Sequence, residues 1–226
     1  MQILRTCLTG AVGLALASVA AATTLVIDYE DLAEGSLGDP FTHLGVTYHD
    51  LNTVGGVFPD GSTFDPQPAD EFVAENAGLF YAEFPEFGSP VNVLTFGIAY
   101  VPGDNLTIGP LATVTMDLPV PVSEASLDLG YYENGPWGGI VYHLDALLGG
   151  AVVASDQFTI AGVSDRDNPT WATLTVAGLA FDQLHLYATY GGEYSMPRGM
   201  IDDLTLVMDT VAIDAGTWTQ LKELFR

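Results

Sequence analysis

The sequence predicts an all-β fold, either a sandwich or a barrel. Three observations carry that expectation. Between Thr23 and Thr210, short runs rich in Val, Ile, Leu, Thr and aromatic residues alternate with Gly, Pro, Asn and Asp. No amphipathic helical period interrupts them, and no strand–helix–strand rhythm points to a parallel sheet. Gly149-Gly150 joins two of the runs with the residues of a tight hairpin turn.

The elements follow in order. Leu25 to Tyr29 is the first expected strand, and Gly45 to His49 the second. Ala33 to Pro40, between them, has the composition of a turn-rich link. Gly55 to Asp70 holds three prolines and three glycines, the chemistry of a long surface loop. Further strands are expected over Leu79–Phe84, Val91–Tyr100, Ala112–Leu118, Ala125–Tyr132, Ile140–Leu148, Ala151–Ile160, Trp171–Val176, Gln183–Tyr190 and Ile201–Met208. After Gly216 the pattern changes. Trp218, Leu221, Leu224 and Phe225 recur at helical spacing, and Thr217 can cap them, so 211–226 is expected to form a short tail helix.

The opening residues have the character of an export leader. Arg5 gives a positive start, Leu8 to Ala20 is apolar and small, and Ala20-Ala21-Ala22 offers a cleavage site. Residues 1–22 are therefore expected to be removed, leaving a sandwich domain over 23–210 and the tail. The apolar run is short for a membrane span, which needs about 20 residues. The only cysteine, Cys7, lies within the leader. Disulfides and thiolate chemistry are thus excluded from the mature chain. A net charge of −24 excludes nucleic acid as a partner, because phosphate binding needs a basic face. It suits divalent cations or cationic partners.

The closing run Met200-Ile201-Asp202-Asp203-Leu204-Thr205-Leu206-Val207 organises the expected site. Strand alternation gives Asp202 the parity of Leu204 and Leu206. A carboxylate facing the same way as two leucines is costly unless neutralised. A bound cation is one answer, and a solvated strand end is the other. Leu25 to Leu32 at the opposite end of the domain is also strand-like and acidic. First and last strands are expected to lie together and share an acidic site.

These runs carry a resemblance. Ile27-Asp28-Tyr29-Glu30-Asp31-Leu32, Gly35, Phe41 and Leu44-Gly45-Val46-Thr47-Tyr48 resemble the opening of many exported bacterial β-sandwich proteins. Trp171, Leu174, Val176, Phe181, Leu184, Leu186 and Ile201-Asp202-Asp203-Leu204 resemble their close, and are similar to jelly-roll carbohydrate-binding modules of the galactose-binding-like type. The resemblance implies an antiparallel two-sheet jelly-roll sandwich with a structural calcium between first and last strands. It assigns that ion to Glu30 and Asp202, with Asp28 and Asp203 in reserve. Calcium takes six to eight hard oxygen ligands, which such residues supply.

A sugar site needs aromatic faces and a few polar groups. Tyr131, Tyr132 and Trp137, around an expected turn, are the best candidates, followed by Tyr190 and Tyr194 beside Gly191-Gly192. Strand aromatics also fill cores, which is the structural alternative. Asp165-Arg166-Asp167-Asn168 is only a fragment of a calcium loop and has turn composition. Catalysis finds little support. His43, His49, His143 and His185 fall on separate elements without metal-ligand spacing, and no Gly-x-Ser-x-Gly elbow occurs. The expected function is an exported, non-catalytic sandwich that binds extracellular carbohydrate or a cell-surface partner. The alternatives are a structural or adhesive surface protein without a small ligand, and a polysaccharide-active hydrolase.

Overall fold

A computed structural model describes residues 22–52, 56–57, 63–64, 71–76, 91–98, 113–131, 141–159, 170–190, 193–194 and 199–208. One compact unit runs from Ala22 to Asp209. The expected leader, the Leu79–Phe84 strand and the tail helix lie outside the described residues. Every regular element within them is a strand. These are β1 (Thr23–Ile27), β2 (Gly35–Gly38), β3 (Phe41–His43), β4 (Val46–Asn52), β5 (Gly56–Val57), β6 (Thr63–Phe64) and β7 (Glu71–Asn76). Then come β8 (Asn92–Ile98), β9 (Thr113–Tyr131), β10 (Val141–Leu148), β11 (Ala151–Thr159), β12 (Thr170–Tyr190), β13 (Glu193–Tyr194) and β14 (Gly199–Met208).

The described pairings are all antiparallel; apart from a separate β5–β6 ribbon they form one continuous sheet that folds into two leaves sharing β9 and β12. One leaf runs β11–β10–β12–β9–β4–β3, using the second half of β12 and the first half of β9. The other runs β12–β9–β14–β8–β7–β2, using the opposite halves, with β1 on the far part of β14. The register of β9 with β12 shifts twice between Ala177 and Gln183, with only Phe181 and Val122 matched in between, around Pro119-Val120-Pro121. Prolines cannot donate to a ladder, so this is where both strands turn from one leaf into the other.

Leu144, Leu184, Leu186 and Met116 from the first leaf join Leu127, Leu174, Leu204 and Leu206 from the second in one buried core. The fold is therefore an antiparallel β-sandwich. Tyr29, Tyr48 and Phe72 add large aromatic payload, with Tyr29 and Tyr48 hydroxyls 2.9 Å apart. Burial raises the pKa of both phenols far above the usual tyrosine value.

Several expectations are corrected here. The expected strands Ala112–Leu118 and Ala125–Tyr132 fall on one 19-residue strand, Thr113–Tyr131, and Trp171–Val176 and Gln183–Tyr190 on one of 21 residues, Thr170–Tyr190. Turn residues inside them mark a change of leaf rather than a break. Ala33–Pro40 is not only a link, since Gly35–Gly38 pairs with β7. The run Glu71–Asn76 is a strand that its polar ends concealed. The expected Gly149-Gly150 hairpin is present, and a second, unexpected hairpin joins β3 to β4. Gly149 and Gly150 have φ of 57° and 82°, and the two-residue β3–β4 turn places Leu44 at 46° and Gly45 at 87°.

Candidate functional site

The first and last strands are neighbours. β1 pairs with β14, with Ile27 opposite Leu204 and Leu25 opposite Leu206. Beyond Ile27 the chain turns sharply. Asp28 Oδ1 accepts a hydrogen bond from the Glu30 amide at 3.3 Å, and Tyr29 adopts φ 56°. That turn sends the Tyr29 ring into the core and brings Glu30 to the start of β8. There Glu30 Oε1 accepts the amides of Val91 and Asn92 at 2.8 and 2.9 Å. Asn92 Nδ2 returns a hydrogen bond to the Leu32 carbonyl at 3.0 Å. The acidic run after β1 is thus a clasp between two strands, made of charge-assisted hydrogen bonds.

On β14 the acidic pair sits at a bulge. Asp202 faces Asp128 of β9, but the next matched pair is Thr205 with Ser126, so β14 carries one extra residue. Asp203 takes φ 47° there, and its amide bonds to Asp202 Oδ1 at 2.8 Å. The bulge corrects the parity expectation. Asp202 shares the side of Asp128, opposite to Ile201 and Leu129, and the extra residue returns Leu204 and Leu206 to the core. Asp202 is nonetheless fully buried. Burial raises the pKa of Asp203 from its ordinary value, and the charges of Asp128, Asp28 and Glu30 raise it further. All four residues assigned to calcium therefore lie around one strand junction, and Asp128 joins them.

The residues meet part of what a hard cation needs. Their oxygens are of the right type, and Asn92 Oδ1 beside Glu30 is buried without a hydrogen-bond partner. None of the five lysines and arginines lies among the described residues. Yet no three His, Cys, Asp or Glu side chains among the described residues stand close enough together to hold an ion as placed.

A second cluster was not visible as such in the sequence. The outer face of the first leaf carries a lattice of polar and aromatic side chains. One row across the strands is Gln157, His143, Tyr187 and Thr113. The next is Ser155, Asp145, His185, Thr115 and His49. His143 and His185 stack near-parallel on Tyr187, with ring centroids 4.6 and 5.0 Å away. Asp145 accepts hydrogen bonds from Ser155 Oγ at 2.6 Å and from the Tyr187 hydroxyl at 3.2 Å. His143 Nε2 is joined to Thr189 Oγ1 at 2.8 Å. On the next strands, Asp117 accepts from Gln183 at 2.8 Å and lies 3.0 Å from His49, whose other nitrogen is 3.0 Å from Asp50. Burial lowers the pKa of His143 and of His185, against the opposing pull of Asp145. Both imidazoles are neutral near pH 7.

Of the expected sugar site, Tyr132, Trp137 and the turn expected there lie outside the described residues. Tyr131 closes β9 and Tyr190 closes β12.

No family model matches the chain, and no curated protein matches it. Among solved structures, the K2 cleaved adhesin domain of Lys-gingipain superposes with TM-score 0.45 and 11% identity, over 82% of this chain and 98% of that one. The K1 adhesin domain of the same protein from Porphyromonas gingivalis W83 gives 0.44 and 11%, over 83% and 99%. CBM27-1 of Caldicellulosiruptor saccharolyticus, solved with mannohexaose, gives 0.45 and 12%, over 82% and 97%. At this level the likenesses carry no argument about what this chain binds.

The lattice had a sequence signature that parity would have exposed. His143 and Asp145 alternate with Tyr142, Leu144 and Ala146, and His185, Tyr187 and Thr189 alternate with Leu184, Leu186 and Ala188. Each strand shows a polar outer set and a buried set. Only the register of five strands shows that these outer sets, and three of the four histidines, meet.

Proposed function

We propose that the chain is an exported, non-catalytic β-sandwich that binds carbohydrate or a surface partner through the outer face of its first leaf. The lattice around Tyr187 is the observation that supports this reading. Hydroxyl-rich ligands are recognised by aromatic surface together with fixed donors and acceptors. Here hydroxyl, amide, imidazole and carboxylate groups stand at strand spacing on a rigid sheet, oriented by one another rather than by flexible loops. The test is a glycan array on the unmodified protein, Tyr187→Ala and Trp137→Ala. Loss of binding in Tyr187→Ala alone is expected. Binding that survives Tyr187→Ala and disappears in Trp137→Ala would move the site to the segment around Trp137, and an empty array would discard the carbohydrate reading.

We further infer a structural calcium at the β1–β14 junction, held by Asp202, Asp203, Asp28 and Glu30, with Asn92 as a neutral oxygen donor. Mutual repulsion among these carboxylates, which a divalent ion would offset, supports it, and binding would draw the side chains together. Thermal unfolding with calcium and with chelator tests it. A higher midpoint with calcium that vanishes in Asp203→Asn is expected; equal midpoints would remove the ion.

A further inference from the structure

We propose that the Tyr187 lattice prefers glycans bearing free amino groups over their neutral N-acetylated counterparts, with Asp145 setting the preference. The inference rests on the reading of that face as a glycan platform and names its ligand class.

Asp145 lies at the centre of the lattice. Register places it beside Ser155 on β11 and His185 on β12. The hydroxyls of Ser155 and Tyr187 each donate to one of its oxygens, which fixes the carboxylate without neutralising it. Each carboxylate oxygen has a second lone pair for a ligand. The other groups on this face add no positive charge near neutral pH from β10 or β12, because burial keeps His143 and His185 neutral. From β9 and β4 come Asp117 and Asp50, both more than half exposed, with His49 between them. The face has no lysine or arginine among the described residues. An ammonium group arriving here meets carboxylates already oriented toward their neighbours. Acetylation removes that charge and leaves the rest of the sugar unchanged.

The matched probes are a β-1,4-linked glucosamine hexamer and its fully N-acetylated form, titrated calorimetrically near pH 7, where His143 and His185 are neutral and the amine hexamer still carries part of its positive charge. The unmodified protein is expected to bind the amine form about tenfold more tightly at low salt, and salt narrows the gap. Asp145→Asn keeps an oxygen for the Tyr187 hydroxyl but removes the charge, so it reduces the gap to about twofold. Tyr187→Ala weakens both hexamers. Glu124→Gln, on the other half of β9, controls for the overall negative charge and leaves the gap unchanged.

Equal affinities for the two hexamers overturn the preference, as does a gap that Asp145→Asn does not reduce or that Glu124→Gln reduces equally. Hexalysine that binds as tightly and displaces the amine hexamer also overturns it, in favour of a basic peptide. If a neutral polysaccharide binds in a Tyr187-dependent manner while the hexamers bind alike, the charge preference fails and the platform stands. If no glycan binds, both fail.

Discussion

Glu30 shows how one side chain can join two strands. Its Oε1 takes two backbone amides at the start of β8, one of them part-buried. Replacing it with alanine leaves those donors without their acceptor. Glu30→Ala is expected to lose about 2–3 kcal/mol of unfolding free energy in urea titration, and Glu30→Gln about 1 kcal/mol. An unchanged denaturation midpoint for the alanine variant would show that the clasp contributes nothing. The lattice imidazoles predict a pH dependence. Folding lowers the pKa of His143 and His185, so the unfolded chain takes up their protons first as pH falls. Their contribution is fully present above the ordinary histidine value of about 6.5 and is lost as pH falls below it. Asp203, raised on folding, acts with the opposite sign and nearer the carboxylate range. Unfolding free energy should therefore drop as pH falls below about 6.5, and the drop should be smaller in a His143→Asn/His185→Asn double variant. An identical drop in the double variant would place its origin elsewhere.

At the scale of elements, the turns discriminate between two kinds of glycine. Gly45 has φ 87°, and a Cβ added there would meet the Cβ of Pro119 at 3.1 Å. Gly149 has φ 57° in the same left-handed region, with nothing within 4 Å. Both positions suit glycine, but only Gly45 is also a close approach, against a ring that cannot swing aside. Gly45→Ala should cost about 2 kcal/mol and Gly149→Ala about 1 kcal/mol by chemical denaturation. Equal costs would show that the Pro119 contact yields freely. The bulge at Asp203 is the element that sequence parity could not anticipate. Alternation assumes an unbroken ladder, and one inserted residue reverses it for everything that follows.

The whole molecule carries 29 acidic and five basic residues, so most carboxylates have no cationic partner to lose. Added salt should therefore stabilise it by screening self-repulsion, as the Debye length shrinks from about 30 Å at 0.01 M to about 8 Å at 0.15 M. Thermal midpoints that fall across a sodium chloride series would indicate ion pairs that outweigh the repulsion. The all-β class, the strand runs with their hairpins and the partnership of the first and last strands were legible in the chain itself. They depend on local chemistry: β-branched and aromatic runs, glycine pairs that tolerate positive φ, and a two-residue period of burial. The tertiary structure alone decided that β9 and β12 pass through both leaves, that Asp202 faces Asp128 rather than the core leucines, and that His49, His143 and His185 share a face with Tyr187. Those facts arise from register between residues as far apart as 49 and 185, and register follows from how the assembled sheets bury their apolar sides together.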